Sequence, residues 1–242
     1  MSSVRTPDQE RIEANAIAFA KKHRNQLSRK LTDPSIYAAE KDPVSVFMAG
    51  SPGAGKTEAS IELINAVKGE GSSILRIDPD ELRNVFPEYT GNNSWLFQRA
   101  VMPIVEAVHD RALKQDQSFI MDGTFSSFEV ARKNIERSLK RNRLVQVLYV
   151  YQQPEQAWKF VIARERKEGR RIEPETFVNQ YFAARAVVNR LKREIGRDLH
   201  VDLLMKNNDG SNRFYKAGVD QIDNHIPEKY SPESVQSLVG LL

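Results

Sequence analysis

The sequence has no cysteine in 242 residues, which excludes disulfide bonds, cysteine-ligated zinc and a thiol nucleophile. It also lacks an apolar run of roughly 18 residues, the length that a membrane-spanning helix needs. The first 15 residues are too polar for the apolar core of a secretory signal. The four histidines stand apart, without the spacing of metal ligands. We therefore expect a cytoplasmic protein with no membrane segment and no histidine metal site.

An excess of charge of one sign is also missing. Lys and Arg number 36 against 32 Asp and Glu, a net charge of +4. A surplus this small gives no reason to expect nucleic acid as a partner. Hydrophobic residues make up 40% and charged residues 28% of the chain, which is ordinary for globular proteins and excludes a mainly disordered chain. The length suits one large domain or two small ones.

The first element that the sequence predicts is an N-terminal helix. Thr6, Pro7 and Gln9 combine an N-cap, a proline at the first helical position and a capping-box partner. Apolar residues then recur at helical spacing as far as about Leu31. Breakers at 33–35 and 41–43 divide the chain into an N-terminal helical extension, 1–43, and a main domain, 44–242. The helix either packs on the sheet or serves as an interaction or autoinhibitory surface, and the sequence leaves both open.

Strands and helices alternate along the main domain. Apolar strands are predicted at 44–49, 73–77, 118–121, 145–151 and 201–206, the last leading into a hairpin through 208–210 to 213–216. Helices are predicted at 56–67, at 95–114 with Ser94 as cap, from a Ser126–Glu129 capping box to 141, at 154–167 and at 174–195. This alternation indicates an α/β fold with a mostly parallel sheet flanked by helices.

A phosphate-binding loop follows the first strand. The segment Gly50-Ser51-Pro52-Gly53-Ala54-Gly55-Lys56-Thr57 fits the pattern G-x-x-x-x-G-K-[ST] without a mismatch. The glycines let successive N–H groups face phosphate oxygens, and the helix N-terminus adds partial positive charge. Lys56 is expected to reach the β- and γ-phosphates, and the Thr57 hydroxyl is expected to ligate Mg²⁺. The segment therefore predicts a nucleoside triphosphate site; a glycine-rich turn without a ligand is the weaker alternative.

Acidic residues follow two further strands. Asp78 and Asp80 come after the second strand and Asp122 after the third. The carboxyl ends of parallel strands line the ligand crevice, so these carboxylates should face the phosphates. Transfer of a phosphoryl group to an alcohol needs a carboxylate to accept the hydroxyl proton, and we assign that role to Asp80. Helix capping is the alternative for Asp78 and Asp80, and a contact to bound Mg²⁺ through water is the alternative for Asp122.

An arginine-rich run occupies 164–171, between two predicted helices. Such a segment can close over a nucleotide as a lid and supply planar donors to the transferred phosphoryl group. A solvated basic helix end is the alternative. The presence of the upstream phosphate-binding loop favours the lid.

These motifs together resemble the zeta toxin family of small P-loop kinases. The resemblance rests on GSPGAGKT at 50–57, IDPDELR at 77–83, MDGT at 121–124, the arginines of 164–171 before Pro174, and DLLMKNNDGSNRFY at 202–215. It covers about 44–226, and the order and spacing of the motifs are far more specific than the loop alone.

The resemblance implies a P-loop kinase fold, ATP and Mg²⁺ as cofactors, and a role for each matching residue. Lys56 and Thr57 would serve ATP and the metal, Asp80 matches the catalytic base, and Arg164 and Arg171 match the arginines that bind the γ-phosphate. Residues that would hold the acceptor are Arg83, Asp122 and Thr124, with Asp78 beside them. The implied reaction is phosphorylation of the 3″-hydroxyl of UDP-N-acetylglucosamine by a toxin that pairs with an antitoxin protein.

Three readings of function stay open at this stage. The first is a kinase for a UDP-sugar. Because the family often has Glu where this chain has Asp122, UDP-sugars other than UDP-N-acetylglucosamine remain candidate acceptors. A kinase for another alcohol, such as a nucleic-acid 5′-hydroxyl or a nucleotide ribose, is the second reading. A nucleotide-dependent binding module without chemistry is the third, and it would tolerate loss of the Asp80 carboxylate.

Overall fold

The computed structural model describes residues 5–67, 73–226 and 229–242. Six strands run over Val44–Ala49 (β1), Leu75–Ile77 (β2), Phe119–Met121 (β3), Leu144–Tyr151 (β4), Leu199–Lys206 (β5) and Asn212–Lys216 (β6). The helices of the described part are Pro7–Leu31 (α1), Lys56–Val67 (α2), Gln98–Lys114 (α3), Phe128–Leu139 (α4), Pro154–Glu168 (α5), Pro174–Ile195 (α6) and Pro232–Leu238 (α7). None of the described helices is both long and apolar enough to cross a bilayer.

The strands form one sheet in the order β2-β3-β1-β4-β5-β6. The first five strands of that order are parallel, and β6 returns antiparallel to β5 as the second strand of a hairpin. The predicted α/β fold with a mostly parallel sheet is confirmed. Because β1, β2 and β3 are neighbours, the loops after them emerge at the same edge of the sheet, where ligands bind in such folds.

Both faces of the sheet are buried, as expected for parallel strands. Alternate residues of β1 point to opposite faces: Phe47 belongs to the large cluster that α3 and α6 cover, whereas Met48 belongs to a smaller cluster beside α2. The strand that leads into the turn between β1 and α2 is therefore packed on both faces of the sheet.

Helix α1 begins as the sequence predicts. Thr6 accepts from the N–H of Gln9 while the Gln9 side chain accepts from the N–H of Thr6, which completes the capping box. Ala16 and Ala20 are buried in the large cluster, and α1 lies along α3. The helix thus packs on the main domain.

Two predicted helix starts are wrong. Ser94 does not cap a helix, because Ser94–Phe97 forms a 3-10 turn and α3 begins only at Gln98. The Ser126–Glu129 capping box does not form either: Ser127 is the N-cap without a side-chain bond, and the Ser126 hydroxyl bonds the Thr124 hydroxyl instead. In both cases another partner or a tighter turn takes the place of the local capping bond.

Candidate functional site

The 50–57 loop is held tightly by its neighbours. A Cβ on Gly50 would lie 2.3 Å from the carbonyl oxygen of Val150 in β4, and one on Gly53 would lie 2.1 Å from that of Ala157 in α5. Both glycines also have positive φ, 139° and 72°. Glycine is therefore required at these positions for close packing as well as for backbone conformation. Ser51, Pro52 and Ala54 of the same loop are also buried.

Lys56, at the start of α2, folds back over this loop. Its Nζ donates to the carbonyl oxygens of Gly50 at 3.1 Å and Ser51 at 2.7 Å. Burial lowers the pKa of Lys56 to about 8, while the carboxylates of Asp122 and Asp80 act in the opposite direction. An anion beside the ammonium would relieve this desolvation, so the loop is suited to phosphate.

A buried cluster of acids and one arginine lies beside Thr57. The Thr57 hydroxyl donates to Asp122 at 3.3 Å, and the Arg76 guanidinium bonds both Asp122 at 2.8 Å and Asp78 at 2.5 Å. Burial and the neighbouring carboxylates of Asp122 and Asp80 together raise the pKa of Asp78 to about 6, against the opposing charge of Arg76. Sequence reasoning missed Arg76, although an arginine inside an apolar strand that ends in Asp was a signal for it.

Asp78 also shapes the turn after β2. Its Oδ1 accepts the N–H of Asp80 at 2.8 Å, which is the capping role considered as an alternative from the sequence. The turn thereby presents the Asp80 side chain toward the cleft.

Asp80 is held by two arginines. Its Oδ1 accepts from Arg83 at 2.7 Å, and its Oδ2 pairs with Arg170 at 2.5 Å. Arg83 is buried and also donates to Gln98 at 2.9 Å, so it supports the carboxylate from behind. The Asp80 side chain remains 29% exposed on the cleft side.

The arginine-rich run contributes a different pair from the one predicted. Arg164 and Arg170 line the cleft. Arg171 points away from it: its side chain is 65% exposed and pairs with Glu173 at 3.0 Å. The reason is local, because α5 ends at Glu168 and the left-handed Gly169 turns the chain so that Arg170 faces inward.

These groups surround one cleft of about 540 Å³. Its walls are Thr57, the turn after β2 with Asp78 and Asp80, the loop 89–92, and the end of α5 with Arg170. Of the predicted acceptor residues, Asp78 lines this cleft, whereas Arg83 and Asp122 contact its lining from behind. Thr124 lies next to the phosphate-binding loop, where its carbonyl oxygen accepts the N–H of Gly50 at 3.3 Å.

The oxygen groups beside the loop fit Mg²⁺. A hydroxyl and carboxylates are the ligands this ion prefers, and the Thr57 hydroxyl lies next to Asp122. Within the described ranges, no three acidic or histidine side chains converge on one point. A magnesium ion here would therefore complete its shell with phosphate oxygens and water, as it does in nucleotide sites.

Several solved structures share this fold. A chain of the PezAT chromosomal toxin–antitoxin system of Streptococcus pneumoniae has a TM-score of 0.62 and 17% identity, over 97% of this chain and 88% of that one. The AvrRxo1-ORF1:AvrRxo1-ORF2 complex with sulphate ions gives a TM-score of 0.59 and 14% identity, over 90% and 72%. The same complex with ATP has a TM-score of 0.56 and 15% identity, over 86% of this chain and 66% of that one.

Sequence comparison assigns the family. None of the curated proteins compared with the chain matches it. The family model described as Zeta toxin, however, matches residues 28–220, which include the phosphate-binding loop, Asp80 and the end of α5. The chain therefore belongs to the zeta toxin family.

Proposed function

We propose that the protein is an ATP- and Mg²⁺-dependent kinase that phosphorylates a sugar hydroxyl of a UDP-sugar, with the 3″-hydroxyl of UDP-N-acetylglucosamine as the first acceptor to test. The observation that carries the proposal is the position of Asp80: its carboxylate lies in the same cleft as Thr57 of the phosphate-binding loop and pairs with Arg170. Membership of the zeta toxin family supports the reaction class.

The donor side of the cleft would bind the triphosphate through the 50–57 loop. Lys56, now bonded to two carbonyl oxygens, would turn to the β- and γ-phosphates. Thr57 and Asp122 would hold Mg²⁺, which supplies charge neutralisation at the phosphates when bound. Arg164 and Arg170, on the opposite wall, are placed to bind the γ-phosphoryl group.

The transfer step assigns the base to Asp80. Arg170 would exchange its bond with Asp80 for one with the γ-phosphate, which frees Oδ2 of the carboxylate, while Arg83 keeps Oδ1 in place. The acceptor hydroxyl oxygen then forms a bond to the γ-phosphorus as the bond from that phosphorus to the β,γ-bridging oxygen breaks. The hydroxyl proton passes to Asp80, and ADP leaves with the bridging oxygen.

The proposal is tested with purified protein, ATP, Mg²⁺ and UDP-N-acetylglucosamine, with mass spectrometry of the sugar nucleotide as readout. Asp80→Asn should slow transfer by about 10²- to 10⁴-fold and retain ADP binding in calorimetry. Asp198→Asn, at an exposed position before β5, is the matched control and should keep the wild-type rate.

Each outcome bears on a different part of the proposal. No phosphorylated sugar nucleotide from the wild type would reject this acceptor, and a screen of metabolites for a gain of one phosphate would then identify the true one. A wild-type rate in Asp80→Asn would reject the assignment of Asp80 as the base. Absence of ADP binding by the wild-type protein would reject the assignment as a kinase.

We also propose that this kinase acts as the toxin of a toxin–antitoxin pair. The family supports this role, and the PezAT structure is described as part of such a system. Growth arrest on expression of the wild type but not of Asp80→Asn is the expected result. Arrest by both variants would favour the binding module without chemistry.

A further inference from the structure

A second buried lysine lies against the phosphate-binding loop. Lys206 is the last residue of β5, at the sheet edge where the loop emerges, and it is only 5% exposed. Its Cε lies 3.3 Å from the position that a Cβ on Gly55 would occupy. A break in the β5–β6 register between Met205 and Lys206 marks the point where the strand turns its side chain toward the loop.

The charge of Lys206 has no acidic partner among the described residues. Its Nζ donates to the neutral Asn212 amide oxygen at 2.6 Å, and the amide nitrogen of Asn212 donates in turn to Glu62 of α2 at 2.9 Å. An ammonium group has three donors, and a buried charge is stable only when it is paired or well hydrogen-bonded. The site is therefore suited to an added anion.

Lys206 and Lys56 lie on different sides of the loop. The charged side chains close enough to Lys56 to affect its pKa belong to the cleft: they are Asp80, Asp122 and the two cleft arginines. Lys206 instead reaches toward the α2 face that carries Glu58 and Glu62. If the γ-phosphoryl group lies at the wall with Arg164 and Arg170, on the Lys56 side, the Lys206 side is left for the phosphates nearer the nucleoside.

We propose that Lys206 binds the α- or β-phosphate of the nucleotide, as a second cation of the phosphate site beside Lys56. This inference rests on the proposed function, because it takes the ligand of the loop to be a nucleotide. The Asn212–Glu62 link holds the β5–β6 hairpin on α2 and keeps the ammonium at the loop.

The test compares ADP and adenosine binding by competition calorimetry. Lys206→Met keeps the length of the side chain over Gly55 and removes its charge. We expect it to weaken ADP binding about 10- to 100-fold, the effect of losing a charge-assisted hydrogen bond, and to leave adenosine binding unchanged. Lys192→Met is the matched control, since Lys192 is 15% exposed and bonded to the carbonyl oxygens of Gly196 and Leu199; it should bind ADP as the wild type does.

Equal ADP binding by the wild type and Lys206→Met would overturn the inference. An equal loss for ADP and adenosine would also overturn it, because Lys206 would then only shape the pocket. If Lys206→Met fails to melt cooperatively, Lys206→Gln, which can still bond Asn212, provides the same comparison. A wild type that binds neither ligand would reject the proposed function instead.

Discussion

The two arginines that share the Asp80 carboxylate differ in how firmly they are held. Arg83 is buried and bonded to Gln98, so its position is fixed by the core. Arg170 follows the end of α5, and its side chain is 18% exposed at the cleft. In the proposed reaction, we therefore expect Arg170 to exchange Asp80 for a phosphate more easily than Arg83 would.

We expect Arg170→Ala to lower kcat by about 10³-fold or more, the scale reported for an arginine that stabilises a transferred phosphoryl group. Arg171→Ala is the control from the same run and should stay within about threefold, because an exposed ion pair such as that with Glu173 contributes little. Initial rates of ADP formation with acceptor present measure both. A larger loss for Arg171→Ala than for Arg170→Ala would restore the assignment made from the sequence.

At the scale of residues, the sequence does not predict which arginines of 164–171 face the cleft. The run predicts that arginines approach the nucleotide, and Arg164 lines the cleft as expected. Which of two adjacent arginines faces inward depends on one residue, Gly169, whose left-handed conformation (φ 69°) turns the chain at the end of α5. A motif records the order of residue types, whereas the direction of each side chain follows from the left-handed turn at the end of the helix.

At the scale of elements, the end of α5 meets the loop 89–92 across the cleft. A Cβ on Gly169 would lie 1.9 Å from Oδ1 and 2.6 Å from Cα of Asn92, and one on Gly91 would lie 3.2 Å from the carbonyl oxygen of Glu168. The backbones of the two walls thus touch, which is possible only because glycine occupies these points. We expect this contact to limit how closely Arg170 approaches Asp80.

Gly169→Ala should separate the two walls and lower kcat/KM about 10- to 100-fold, since small misplacements of a catalytic group are costly. It should also reduce stability by about 1–2 kcal/mol through the left-handed conformation. Gly218→Ala is the matched control: its φ is 66°, but a Cβ there meets nothing within 4 Å. We expect it to show the stability loss alone, in urea denaturation and rate measurements on both variants. Equal activity of the two variants would mean that the wall contact does not position the site.

The sequence predicts elements well where the signal is local and less well where packing decides. The capping box of α1 is correct because its donors and acceptors lie within four residues. The same kind of box at Ser231 and Ser234 starts α7, so this unpredicted helix had a usable signal. Ser94, in contrast, is buried, and its segment follows the packing of neighbouring Leu96 and Phe97 rather than its capping preference.

At the scale of the whole molecule, α1 connects the core with the cleft. Ala16 and Ala20 belong to the hydrophobic cluster that contains the sheet. On the same helix, Arg11 and Asn15 both donate to Glu88 at 3.0 Å, just before the loop that forms one wall of the cleft. The division at residue 43 stays a prediction from sequence, and in the structure both sides of it contribute to one core.

If α1 is part of that core, a charge on its buried face should unfold the protein as a whole. Ala20 is fully buried, so Ala20→Asp should reduce the free energy of unfolding by about 3 kcal/mol or more, because the carboxylate has no partner there. Ala18→Asp makes the same change two residues away on the exposed face of the same helix and should cost about 0.7 kcal/mol, the difference in helix propensity. Urea denaturation followed by circular dichroism compares the two. If α1 were an appendage, Ala20→Asp would melt the helix and leave the main transition at the wild-type midpoint, whereas a shared core requires the single transition to shift.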